Sequence, residues 1–99
     1  MTPEGKVKKK VIDLLLLHGA YYCMPVTGGY GRSGVPDILA CLKGKFLAVE
    51  CKAGDNKPTA LQQKTLNDIQ KAGGIAMVVN EEGIDNLEFV IKFIKGELK

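Results

Sequence analysis

The sequence predicts an α/β domain, a small mixed β-sheet flanked by helices, in the order α-β-β-β-α-β-α. Three observations predict it. Apolar residues recur at three- and four-residue spacing near both ends of the chain, as they do along one face of a helix. Two short apolar runs, residues 36–42 and 46–52, flank the tight-turn pair Lys43-Gly44. A capped helical stretch and the apolar run "IAMVVN" follow, so a strand, a helix and a strand form a right-handed crossover unit. With 99 residues, 45% of them hydrophobic and 25% charged, residues 1–99 are expected to form one globular domain.

Each element has local reasons. Thr2 can cap a first helix, Pro3 suits its first position, and Glu4 suits the positive end of its dipole. Val7, Val11, Leu14, Leu15 and His18 continue the stripe until Gly19 ends it. Residues 21–26 are expected to form a first strand, and a glycine-rich loop fills residues 27–34. The hairpin strands follow at about 36–42 and 46–52. Thr59 caps a second helix that stops at Gly73-Gly74. The run "IAMVVN" predicts a strand buried on both faces. Ile84, Leu87, Ile91, Ile94 and Leu98 predict a last amphipathic helix.

Composition excludes several function classes. The longest apolar run, Val11 to Leu17, is interrupted by Asp13 and is too short to span a bilayer. The stretch "MTPEGKVKKK" lacks the apolar core of a signal peptide, so the chain is expected in the cytoplasm. Three cysteines, Cys23, Cys41 and Cys51, with no CxxC pair, argue against a disulfide framework or a zinc knuckle. The net charge of +3 permits a polyanionic partner without requiring one.

Gly29, Gly31 and Gly34 fall at the spacing of a phosphate-cradling loop. Such a loop must open a helix whose N-terminus meets the phosphate. Here Val35, Pro36 and Ile38 direct the chain into a strand, and no Gly-Lys-Ser/Thr triplet is present. No nucleotide cofactor is expected. The loop is either an unspecialised surface segment or one that closes over a polymer backbone with Tyr30, Arg32 and Ser33.

A two-residue turn at Lys43-Gly44 pairs Leu39 with Ala48 and brings Asp37 opposite Glu50. Facing side chains on one sheet face have Cβ atoms about 4.5–5.5 Å apart. Two bare carboxylates there repel, and a hard divalent cation reverses the repulsion. Lys52 lies two residues past Glu50, so it projects from the same face. Its ammonium can orient an attacking water or balance charge on a phosphoryl oxygen. A Glu-x-Lys on a strand is also an ordinary solvated pattern. However, the polar residues sit at one end of the otherwise apolar strands "ILACL" and "FLAVECK", which suggests a site at the sheet edge.

These residues resemble a known family. Pro36-Asp37 followed by Glu50-Cys51-Lys52 is similar to the motif of the PD-(D/E)xK nuclease superfamily. "GRSGVPDIL" and "TALQQKTLNDIQKAGGIAMVV" resemble the signatures of its VRR-NUC (virus-type replication-repair nuclease) branch, over about residues 2–82. The resemblance implies a restriction-endonuclease-like core and a Mg²⁺- or Mn²⁺-dependent endonuclease hydrolysing DNA phosphodiester bonds. It implies selectivity for branched, junction or flap DNA, a homodimer, and residence in a bacterial or phage-infected cell. It also implies Asp37, Glu50 and the Cys51 backbone carbonyl as metal ligands, and Lys52 as the residue that activates water. Gln62 and Glu4 would support the site from the two helices.

Several of these residues have a second reading. Thr59-x-x-Gln62 is also a capping box, Gln63 competes with Gln62, and Glu4 also suits the helix dipole. His18, beside Gly19, is explained by the helix end. Lys9 and Lys57, within a wider basic set, either track phosphates or solvate a surface. The alternative to an enzyme is a non-catalytic nucleic-acid-binding module that keeps the fold.

Overall fold

Lys43 and Gly44 both take positive φ, 52° and 77°, as a two-residue type I′ turn requires. In the computed structural model, which describes residues 1–26 and 33–98, this turn joins β2 (Ile38–Leu42) to β3 (Lys45–Cys51). Leu42 faces Lys45, Leu39 faces Ala48 and Ile38 faces Val49, the register the sequence predicts. A shorter β1 (Tyr21–Cys23) pairs antiparallel with β2, and β4 (Ile75–Val79) pairs parallel with β3. The four-stranded mixed sheet has the order β1-β2-β3-β4.

Two helices cover one face. Helix α1 (Pro3–Leu17) is capped by the Thr2 hydroxyl, which accepts from the Gly5 N–H. Helix α3 (Ile84–Ile94) follows a single 3₁₀ turn at Glu81–Gly83. Val7, Val11 and Leu15 of α1 meet Leu87 and Ile91 of α3 over Ile38, Ala40, Leu42, Leu47, Val49 and Cys51. Burying each large aliphatic side chain of this set stabilises the fold by about 1.5–3 kcal/mol. His18 links the two helix ends: Lys95 Nζ lies 3.2 Å from Nδ1, and Glu88 lies 3.5 Å from Nε2.

Helix α2 (Ala60–Lys71) packs against β4 and buries Leu66. Gly74 admits it closely, since a Cβ there would lie 2.8 Å from Ile69 and 3.1 Å from Phe46. No helix is long and apolar enough to cross a membrane among the described residues.

Three boundaries differ from the sequence expectation. β1 ends at Cys23 rather than at residue 26, because Pro25 offers no N–H to a ladder. β2 begins at Ile38, which leaves Pro36 and Asp37 just ahead of the strand. β4 is not buried on both faces, because it is an outer strand of the sheet. Only Val79 is fully buried, and Val78 is exposed beside Glu50 in the parallel register.

Candidate active site

The β2–β3 ladder ends at Ile38–Val49, so the next positions outward are Asp37 and Glu50. Alternation along β3 puts Glu50 on the face opposite the α1–α3 core, while Asp37, just ahead of β2, lies at the sheet end within reach of α1. The Asp37 carboxylate bonds across the hairpin: Oδ2 accepts from the Cys51 backbone N–H at 2.8 Å. Oδ1 lies 3.5 Å from the Lys8 ammonium.

Glu50 is only 2% exposed, although a lone buried carboxylate is costly. Lys52 Nζ lies 3.4 Å from its Oε2, with a side chain that is 13% exposed. Its Oε1 is buried and has no hydrogen-bond partner among the described residues. Burial pushes the Glu50 carboxyl above the usual carboxylate range, and the negative charge of Asp37 pushes it further. The Lys52 charge and hydrogen bonds from Lys52 and the Asp37 backbone oppose that rise without cancelling it. Burial, then the charges of Asp37 and Glu50, also push the Cys51 thiol up to about 12. That thiol stays protonated in the core and is no ligand or nucleophile.

A divalent cation suits this arrangement. A buried acceptor oxygen without a donor is an expensive feature, and a cation satisfies it. Among the described residues no three His, Cys, Asp or Glu side chains gather around one point. The protein therefore offers two carboxylates, with backbone carbonyl, water or substrate oxygens needed to complete a shell. Mg²⁺ accepts such a set, usually taking one or two carboxylates along with substrate phosphates.

The other expected site residues are placed unequally. Glu4 is half-buried in the first turn of α1 and close enough for its charge to act on Cys51, but it is not gathered with the two carboxylates. Gln62 is engaged in the capping box. Its Oε1 accepts from the Thr59 N–H at 2.9 Å, while the Thr59 hydroxyl accepts from the Gln62 N–H at 3.2 Å. Gln63 bonds Asn67 within the helix. Gly34 sits where only a glycine fits. With φ +76° it passes so close to Leu61 that a Cβ would lie 2.8 Å from Leu61 Cγ. The first turn of α2 is thereby set against the segment that delivers Asp37.

Of the expected DNA contacts, Tyr30 and Arg32 lie outside the described residues. Ser33 is exposed. Lys9 is paired with Asp13 at 2.7 Å and lines a separate cavity with Lys6 and Lys10. Lys57 shares with Lys52, Asn56 and Asn80 a cleft of about 350 Å³ beside the site. The loop that carries Lys57 is tied down, because Gly54 donates to Glu81 at 2.9 Å and accepts from Asn80 at 3.0 Å. Sequence reasoning missed Lys8 as a site residue. It stands one helical turn after Glu4, a spacing that puts both on one face of α1.

Comparison with known proteins bears on the fold. No family model matches the chain. A solved structure described as a VRR_NUC domain superposes with a TM-score of 0.76 at 28% identity, covering 88% of this chain and 95% of that one. The "Putative nuclease p44" of Acyrthosiphon pisum secondary endosymbiont phage 1 is 36% identical over 58 residues, 58% of this chain. The match spans 62% of that relative's own length. The four-stranded mixed sheet and its flanking helices match the fold of that solved structure, and the two likenesses together support a VRR-NUC domain.

Proposed function

We propose that the protein is a metal-dependent endonuclease that hydrolyses DNA phosphodiester bonds. The observation that carries this reading is the buried, unpartnered Oε1 of Glu50 next to Asp37 and Lys52. Asp37, Glu50 and the Cys51 carbonyl would hold Mg²⁺ or Mn²⁺. When bound, the ion supplies Lewis acidity to a phosphoryl oxygen and lowers the pKa of water. Lys52, held by Glu50 on the same face, orients the attacking water and balances charge on the phosphate. Lys57 and Ser33, both exposed, contact the strand on either side.

The substrate is read by shape. The chain presents no base-reading motif, so we assign selectivity to branched, junction or flap DNA, met in the cytoplasm of a bacterial or phage-infected cell. The phage origin of one relative supports that setting. One gel tests the activity. Linear, flapped and junction DNA are incubated with Mg²⁺, Mn²⁺ or chelator, using the native protein and Lys52→Ala. Cutting should require the metal, and Lys52→Ala should lower its rate about a hundredfold or more. DNA retention without any cutting would instead identify a non-catalytic binding module.

We also propose a homodimer. The outer faces of α1 and α3 carry Leu16, Leu17, Phe89 and Phe93, with Phe89 58% and Phe93 67% exposed. Such side chains on the two end helices suit a second copy. Light scattering at micromolar concentration should give twice the mass of the chain, and Phe89→Lys/Phe93→Lys should return it to the monomer. A native protein that scatters as a monomer would refute the pairing.

A further inference from the structure

We infer that Lys8 is an exchangeable counter-cation of the site, bound to Asp37 when the metal is absent and passed to the DNA phosphate when it is present. This role rests on the nuclease reading above. Each carboxylate of the site has its own ammonium: Lys52 lies 3.4 Å from Glu50 Oε2, and Lys8 lies 3.5 Å from Asp37 Oδ1. The two partnerships differ in construction. Lys52 extends β3 itself and its side chain is 13% exposed. Lys8 reaches in from α1 across the open side, and its side chain is 35% exposed.

The two oxygens of Asp37 differ in the same way. Oδ2 is committed to the Cys51 N–H, a bond that fixes the carboxylate on the hairpin. Among the described residues Oδ1 is met by Lys8, a partner on a flexible four-carbon stem. A cation that takes Oδ1 must therefore displace the ammonium of Lys8. The displaced group stays tethered to α1, within reach of whatever lies on the open side of Asp37. A phosphodiester oxygen is the anion that a nuclease brings there. Lys8 thus weakens metal binding in the free protein and strengthens DNA binding in the loaded one, which couples the two events.

The test measures Mn²⁺ affinity and DNA cleavage separately. Mn²⁺ is titrated calorimetrically into the full chain without DNA, for the native protein, Lys8→Met, Lys8→Arg and a surface control, Lys71→Met. Lys8→Met should bind Mn²⁺ about three- to fivefold more tightly, the scale of a half-exposed ion pair removed. Its cleavage efficiency on DNA should nevertheless fall about tenfold, the scale of one lost charged phosphate contact. Lys8→Arg should recover most of both, and Lys71→Met should match the native protein. Unchanged Mn²⁺ affinity or unchanged cleavage in Lys8→Met would overturn this role alone. A native protein that neither binds Mn²⁺ nor cuts DNA would overturn the nuclease reading and this role together.

Discussion

Glu50→Gln is expected to abolish cleavage and, in chelator at neutral pH, to make the protein harder to melt. The two effects share one cause. The Glu50 carboxyl sits above its ordinary range in the fold, through burial and then the charge of Asp37. Below the ordinary carboxylate pKa, folded and unfolded chains both keep the proton, and nothing is lost. Between the ordinary and the raised value only the unfolded chain releases it, so stability falls as pH rises through that window. Above the ordinary value the glutamate therefore carries a penalty that glutamine, a neutral isostere, does not. The variant should melt at a higher temperature in chelator for that reason. Mg²⁺ should raise the melting temperature of the native protein but not of the variant, because the oxygen left without a donor is the one the ion satisfies. Cleavage should drop by about a thousandfold or more. Melting curves with Mg²⁺ and with chelator, beside a cleavage assay, check all three outcomes. A variant that melts lower in chelator and still gains from Mg²⁺ would contradict this account of Glu50.

Ile91→Ala is expected to have the largest effect on folding. Ile91 is fully buried on α3, where it joins Leu87, Val7, Val11 and Leu15 between the two helices and the sheet. Truncating a buried isoleucine costs about 2–5 kcal/mol, from lost transfer energy and the cavity left behind. A domain of this size has only about 5–15 kcal/mol to lose. The melting temperature should fall by about 10 °C or more. Cleavage per folded molecule should survive at low temperature, because Glu50 lies on the other face of the sheet. Circular dichroism melts and a low-temperature assay on the same sample separate the two quantities. A melting temperature within about 2 °C of the native value would show that this helix pair is not the core.

The hairpin was legible because its determinants are local. A Lys-Gly turn between two apolar runs admits few conformations, and the pairing follows from it residue by residue. The stripe of Val7, Val11 and Leu15 and the box of Thr59 and Gln62 were legible for the same reason. Features that depend on distant segments were not. The ammonium of Lys8 reaches Asp37 only after α1 docks across the sheet, and a sequence shows that lysine simply as one of a basic run. The missing partner of Glu50 Oε1 is a property of what packs around it. The run "IAMVVN" predicted burial on both faces, but the end of the sheet leaves Val78 open beside Glu50. The ladder runs in the register that sets Asp37 opposite Glu50, as expected, but the bond from the Cys51 N–H to the Asp37 carboxylate was not legible.

The Lys43-Gly44 turn also constrains how this chain can change in length. Gaining or losing a single codon there would rotate one arm of the hairpin by half a period and send its acidic end group into the hydrocarbon interior. Point changes at those two positions leave the frame intact, so drift by substitution is open where drift by insertion or deletion is closed.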